Sequence, residues 1–195
     1  MKNITKEIAK QLLEESYILN EGNWREHSYN VAECARRIAD ECEDLDSEKA
    51  FIMGLLHDIG RRYGVTHLKH TIDGYNFLFN QGYDEIARIC LTHSFPIKHV
   101  EAYSGNNDCS KEEIRFIKEY LQKSEYNDYD KLIQLCDALA LSNGVCCVEK
   151  RLVDVTIRHG FNQYTISKWK AFLELRDYFS NKINKSIYEL FDLIY

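Results

Sequence analysis

Residues that interrupt helices are scarce in this sequence. The chain of 195 residues contains one proline, Pro96, and only nine glycines. Proline lacks the amide hydrogen that a helix needs, and glycine weakens a helix through its backbone freedom. No long stretch alternates polar and apolar residues in the way that a half-exposed strand does. The sequence therefore predicts helices nearly throughout, that is, an all-α fold.

The sequence also lacks the long apolar segments that are typical of membrane spans and secretory signals. The longest apolar run is the short stretch 50–56, whereas a membrane-spanning helix needs about 20 such residues. The N-terminal sequence MKNITKEIAKQLLEES is amphipathic and charged, without the apolar centre of a secretory signal. Seven cysteines form no C-x-x-C pair, which favours reduced thiols over a zinc site. We expect a cytoplasmic protein.

The sequence has no excess of basic residues. Lysine and arginine number 25 against 31 acidic residues, which gives a formal net charge of -6. Proteins that bind the nucleic-acid backbone usually carry a basic face, so we expect no nucleic-acid partner. A local basic pocket for one phosphate group is compatible with this charge. The sequence leaves a homodimer open.

The spacing of apolar residues predicts ten helices separated by short breaks. They cover residues 3–18, 25–42, 47–58, 68–80, 83–93, 111–123, 128–143, 145–159, 165–183 and 185–194, with a loop over 99–110. We expect residues 1–144 to form one helical bundle. Residues 145–195 are expected to be a C-terminal helical extension packed on it, because so short a segment would not be stable alone.

Two groups of polar residues continue apolar helix faces in the first half of the chain. His27 lies one turn before the apolar stripe that begins at Val31. The pair His57-Asp58 ends a helix that is apolar all round. An ionised aspartate is costly to bury there without a partner, and metal coordination is one way to offset that cost.

His70, His93 and Asp137 fall on the core-facing sides of three further helices. One such residue alone is more often a hydrogen-bonded core histidine, a capping aspartate or a salt-bridge partner. Several imidazole and carboxylate groups that converge inside a helical bundle form a recognised kind of metal site. The residues together therefore predict a metal centre, suited to iron, manganese, zinc, cobalt or nickel rather than calcium.

The motifs around four of these residues match a known family. His27 stands in REHSYNVAECA, His57 and Asp58 stand in GLLHDIGRRYG, and Asp137 stands in IQLCDALA. This order of motifs, over roughly residues 20–145, resembles the HD superfamily of metal-dependent phosphohydrolases. The resemblance implies a single HD-type helical bundle in which these four residues hold a divalent transition metal ion.

Two further matches resemble the HD proteins that bind two metal ions. His70 in HTIDGYNFL is followed by Gly74, and His93 ends the apolar stretch in GYDEIARICLTH. The resemblance implies that these two histidines hold a second ion, with Asp58 bridging the two. His67 lies close by, but the spacing to Gly74 favours His70. The paired histidines and the glutamate of HD-type cyclic-dinucleotide phosphodiesterases are missing, which disfavours that activity.

Hydrolysis of a phosphate ester or anhydride is the activity that the resemblance implies. A metal ion can lower the pKa of bound water from about 15.7 to about 7 and stabilise charge on phosphoryl oxygens. The expected catalytic residues are Asp58 and Arg61, which replaces a common lysine and whose guanidinium matches phosphate in a two-pronged way. Arg62 and Lys98 are weaker candidates. The expected substrate is a small phosphorylated molecule such as a nucleotide or dinucleoside polyphosphate.

Other interpretations stay open at the level of sequence. The HD scaffold also supports di-iron oxygenases, and a non-catalytic module could sense a nucleotide through the same fold. Arg151 and Arg158 in RLVDVTIRHGF either cap the site and set specificity or serve only to pack the extension. His159 is most simply a residue at a helix C-terminus, where a partly cationic side chain is favourable.

Overall fold

The protein is a bundle of helices with one very small hairpin. The structure, a computed structural model, describes residues 4–193. Within that range the α-helices are α1 (Lys6–Leu19), α2 (Trp24–Asp40), α3 (Ser47–Leu56), α4 (Lys69–Phe79), α5 (Asp84–Thr92), α6 (Lys111–Lys123), α7 (Asp128–Leu139), α8 (Val148–His159), α9 (Thr165–Lys182) and α10 (Ile187–Leu190). Strands β1 (Ala140–Leu141) and β2 (Gly144–Val145) pair in antiparallel fashion. The predicted all-α fold is confirmed.

The hairpin corrects the predicted helix over 128–143. Helix α7 ends at Leu139, and the chain then turns through β1 and β2 before α8 begins. Gly144 has a φ of 139°, a backbone conformation that a helix does not contain and that glycine adopts without steric cost. The helices predicted on either side of this point are therefore separated by a tight turn.

Three other boundaries differ from the predicted ones. Helix α3 stops at Leu56, so the pair at 57–58 follows it, and a 3-10 helix covers Ile59–Tyr63. The loop predicted over 99–110 contains a 3-10 turn at Val100–Ala102. The last helix, predicted over 185–194, is only the single turn α10. Residues 3 and 194, where two predicted helices begin and end, lie outside the described residues.

Helices α2, α3 and α7 form the centre of the bundle. Helix α3 is buried on all sides from Ala50 to Leu56, as its continuous apolar sequence predicts. It packs so closely on α2 that a Cβ atom at Gly54 would lie only 2.7 Å from the Cα of Ala32. Asn127 begins α7 with a capping box that it forms with Asp130, which fixes where this helix starts.

The C-terminal helices share the core of the bundle. Leu152 of α8, Phe172 and Phe179 of α9 and Ile187 of α10 belong to the same buried apolar cluster as the residues of α2, α3 and α7. The extension is thus packed on the bundle, while the domain boundary placed between residues 144 and 145 stays a prediction. No helix within residues 4–193 combines the length and the apolar character that a membrane span requires.

The contact at Gly54 predicts an unusual response to substitution. Glycine to alanine inside a helix normally stabilises it by about 1 kcal/mol. We expect Gly54→Ala instead to lower the free energy of unfolding by roughly 1–3 kcal/mol, because the added methyl group overpacks the interface between α2 and α3. Urea denaturation followed by circular dichroism measures the change. The exposed Gln122→Ala on α6 is the control, and a stabilised Gly54→Ala would contradict the close packing.

Candidate metal centre

The six residues that the sequence singled out lie at helix ends on one side of the bundle. His27 and His70 occupy the first turns of α2 and α4, and Asp137 occupies the last turn of α7. His57 and His93 cap the C-termini of α3 and α5. The sixth residue, Asp58, follows immediately after His57. The N-terminal ends of two helices and the C-terminal ends of three others therefore meet at one place.

The polar atoms of these side chains converge on a common centre. Donor atoms lie within 4.8 Å of one another in three overlapping groups, namely His27, His57 and Asp58; His57, His93 and Asp137; and Asp58, His70 and His93. Asp58 Oδ1 is 3.1 Å from His70 Nε2 and 3.6 Å from His93 Nε2. His27 Nε2 is 3.0 Å from Asp137 Oδ1. The structure brings together all six residues.

Three of the histidine rings are oriented by backbone carbonyl groups. Nδ1 of His57 donates to Gly54 O at 2.7 Å, and Nδ1 of His93 donates to Ile89 O at 3.2 Å. Nδ1 of His70 donates to the carbonyl of His67. A carbonyl oxygen only accepts, so each ring carries its hydrogen on Nδ1 and presents Nε2 to the centre. Such outer hydrogen bonds are the usual way in which proteins orient histidine ligands.

The centre contains buried polar atoms that the described protein atoms do not satisfy. His57 is fully buried, yet its Nε2 has no hydrogen-bond partner, and Asp58 Oδ1 has none of good geometry either. His70 Nε2 and His93 Nε2 face each other at 3.3 Å, where two nitrogen lone pairs would repel. A cation would satisfy all of these atoms at once, and the mixture of imidazole and carboxylate donors fits a transition metal ion.

Burial and neighbouring charges keep the side chains in the forms that bind metal. Burial lowers the pKa of His57, and burial together with the charge of His57 lowers the pKa of His93 to about 3. Burial alone would raise the pKa of Asp58, but Arg61 and then His70 more than offset it and hold that pKa well below its ordinary range. Burial would likewise raise the pKa of Asp137, but the hydrogen bond from His27 and the charges of the neighbouring histidines together lower it. Neutral imidazoles and ionised carboxylates are the forms that bind metal.

A close approach of two backbones sets the position of Asp58. A Cβ atom at Gly60 would lie 2.0 Å from the carbonyl oxygen of His70 and 2.5 Å from the amide nitrogen of Gly74. Only glycine allows the 3-10 turn after Asp58 to lie so near α4. This approach brings the carboxylate of Asp58 within reach of His70. It also explains Gly74 by packing, because the backbone of Gly60 lies against it.

Five of the six residues of the candidate metal centre, all but His57, form the floor of a pocket of about 540 Å³, a size typical of sites for small molecules. Arg61 lines this pocket, and its Nε donates to Asp58 Oδ2 at 2.5 Å. The weaker candidates are engaged elsewhere. Arg62 stacks over the ring of Phe77, and Lys98 donates to the carbonyl of Ser124. His67 does not belong to the cluster of metal-type donors, although its carbonyl orients His70.

Several residues of the pocket were not singled out from the sequence. Tyr103, Lys168 and Trp169 line it, and no motif or periodicity marks them. His159, interpreted as the end of a helix, is the last residue of α8 as expected and also lines the pocket. Arg151 and Arg158 line it as well, so both of the arginines left open by the sequence belong to the same pocket as the His/Asp cluster.

Comparison with known families agrees with this geometry. Residues 24–142 match the HD domain family, and this range includes all six residues of the centre. The chain belongs to the HD domain family. The match ends in the turn between β1 and β2, so α8, α9 and α10 lie beyond it. Neither curated proteins nor solved structures show a match to the chain.

Removal of a central ligand is expected to empty the metal centre of this HD domain. In His57→Ala and Asp58→Ala, we expect most of the bound metal to be lost, because each residue belongs to two of the three overlapping groups. Elemental analysis of the purified variants measures the metal-to-protein ratio. His99→Ala removes an exposed histidine outside the cluster and is expected to leave that ratio unchanged. Full metal content in both central variants would show that the site is misassigned.

Proposed function

We propose that this HD domain is a metal-dependent phosphohydrolase that acts on a phosphate ester or anhydride of a small molecule, in particular a nucleotide. The observation that carries this proposal is the buried centre of histidine and aspartate at the floor of a pocket. HD domains are typically metal-dependent phosphohydrolases. The pocket is large enough for a nucleotide-sized substrate, and Arg61 lines it next to Asp58.

The groups of donor atoms support a two-metal arrangement. In this proposal His27, His57, Asp58 and Asp137 hold the first ion, and His70 and His93 hold the second with Asp58 shared between them. Asp58 is suited to this role because its Oδ1 lies near both histidines of the second set. Iron, manganese, zinc, cobalt and nickel all suit these donors. When bound, such ions supply a nucleophile from water at neutral pH and stabilise charge on the phosphoryl oxygens.

The side chains around the centre would bind and orient the phosphoryl group. Arg61 uses Nε to hold Asp58, while its Nη2 has no hydrogen-bond partner within residues 4–193 and is left for a phosphoryl oxygen. Burial raises the pKa of Tyr103 although Arg61 opposes this, so its hydroxyl remains protonated and can donate a hydrogen bond. These two residues would place the phosphorus atom over the metal centre.

A screen for phosphate release tests the proposed activity. The purified protein is first analysed for metals and then assayed with nucleotides, dinucleoside polyphosphates and sugar phosphates. We expect release of phosphate or of a nucleotide product that stops on chelation and is absent from His57→Ala. Metal-loaded protein that releases no product and instead consumes oxygen in the presence of diols would contradict the proposal and favour an oxygenase. Binding of a nucleotide without turnover would favour a sensor.

The role of Arg61 gives a separate prediction. We expect Arg61→Ala to lower kcat/KM by roughly 10- to 100-fold, the weight of one or two hydrogen bonds to a charged group, with metal content unchanged. Arg61→Lys keeps the positive charge and should retain more activity than Arg61→Ala. The exposed Arg115→Ala on α6 is the control. Loss of metal from Arg61→Ala would show that the arginine acts on the ligand Asp58 rather than on the substrate.

A further inference from the structure

The outer wall of the pocket comes from helices that lie beyond the family match. Helices α8 and α9 contribute Arg151, Leu152, Arg158, Lys168, Trp169 and Phe172. The floor is built by the HD domain itself, from the histidine and aspartate residues of the candidate metal centre. The wall contributes positive charge and apolar surface, so it is the part of the pocket suited to recognising the remainder of a substrate.

Ion pairs neutralise only part of the positive charge on the wall. Among the residues that line the pocket, the only carboxylates belong to the metal centre. Arg158 is paired with Asp154 at 3.0 Å. Arg151 and Lys168 form no ion pair with any residue in 4–193. In a chain with a net charge of -6, two unpaired cations in one pocket indicate an anionic ligand.

Lys168 has the geometry of a binding group. Its ammonium donates to Ala102 O at 3.3 Å and to Ser104 Oγ at 3.0 Å. An ammonium has three hydrogens to donate, so one remains for a ligand. Burial lowers the pKa of Lys168 to about 8, partly offset by the charge of Asp137. The side chain is therefore still mostly charged at neutral pH, and an anion in the pocket would relieve the cost of its burial.

A purely structural role would not require this residue to be charged. Both acceptors of Lys168 are uncharged groups of the segment 102–104, and a neutral donor would join α9 to that segment at a smaller desolvation cost. Arg151 lines the same pocket from α8. The two cations are thus presented to the pocket by separate helices, whereas Arg61 is already paired with Asp58.

We propose that Lys168, together with Arg151, binds a second phosphoryl group of the substrate, so that this HD domain acts on compounds with linked phosphoryl groups. The inference rests on the proposed function, because the first phosphoryl group is taken to lie at the metal centre. The apolar surface of Trp169 and Leu152 in the same wall is available to the organic part of such a compound. Lys168 is thereby a specificity-determining residue supplied by the C-terminal helices.

Binding of two compounds that cannot be hydrolysed tests this inference. Bis(phosphonomethyl)phosphinate carries three linked phosphorus groups, and methylphosphonate carries one. Calorimetry with the metal-loaded protein measures the dissociation constant of each compound. We expect Lys168→Met to weaken binding of the three-group compound by roughly 10-fold or more, the weight of a lost hydrogen bond to a charged group. Binding of methylphosphonate should change by less than about 2-fold, since the proposal assigns Lys168 to the second phosphoryl group and the metal centre to the first.

Three matched variants separate binding from folding. Lys170→Met removes an exposed lysine two residues away on α9 and should leave both dissociation constants unchanged. Lys168→Arg keeps the charge and should retain most of the affinity for the three-group compound. Arg151→Met removes the other unpaired cation and should also weaken that compound selectively. If Lys168→Met does not fold, the Arg151→Met result decides the question in its place.

The results distinguish failure of this inference from failure of the proposed function. Equal weakening of both compounds in Lys168→Met would show a structural role and overturn the inference, as would unchanged binding of the three-group compound. Absence of binding to wild-type protein would overturn it too. Selective weakening in a protein that shows no turnover in the phosphate-release screen would support the binding site while contradicting the phosphohydrolase proposal.

Discussion

The enclosure of a buried carboxylate, Asp58, and a partly buried one, Asp137, among four histidine rings is the constraint on which the rest of this structure depends. Charged groups inside a protein are very costly unless they are paired or coordinate a metal ion. One oxygen of Asp58 is held by Arg61, and one oxygen of Asp137 is held by His27. These pairs leave the second oxygen of Asp58 and the Nε2 of His57 without good partners. The fold is thus a scaffold with an interior cluster of donor atoms that could hold a cation.

The arrangement of helices explains how the donors reach one point. Helix ends can bring side chains together from several directions, and backbone carbonyls near the ends of α3 and α5 hold the histidine rings in place. Gly54 and Gly60 allow the close approaches between α3 and α2 and between the 3-10 turn and α4. The C-terminal helices share the same core, so the wall that they add to the pocket is fixed relative to the metal centre.

Much of the fold and of the candidate centre could be predicted because both follow from apolar periodicity. Histidine and aspartate residues that interrupt a core-facing stripe stand out, as at His27 and Asp137. The hairpin after α7 could not be predicted in this way, since strands of two residues have no periodicity. Lys168 is likewise one of many basic residues in the sequence. Its significance arises from the packing of α9 against the segment 102–104, a tertiary contact between distant parts of the chain.

Anomalous X-ray diffraction from crystals of the metal-loaded protein tests the central claim most directly. The account predicts one or two anomalous peaks among the six side chains, in contact with His57 Nε2 and with the carboxylate of Asp58. The account would be contradicted if the added metal bound elsewhere in the crystal while the cluster contained only water. Asp58 and the histidines would then be hydrogen-bonded to one another. In that case the buried donors would be a polar network of the core rather than a metal centre.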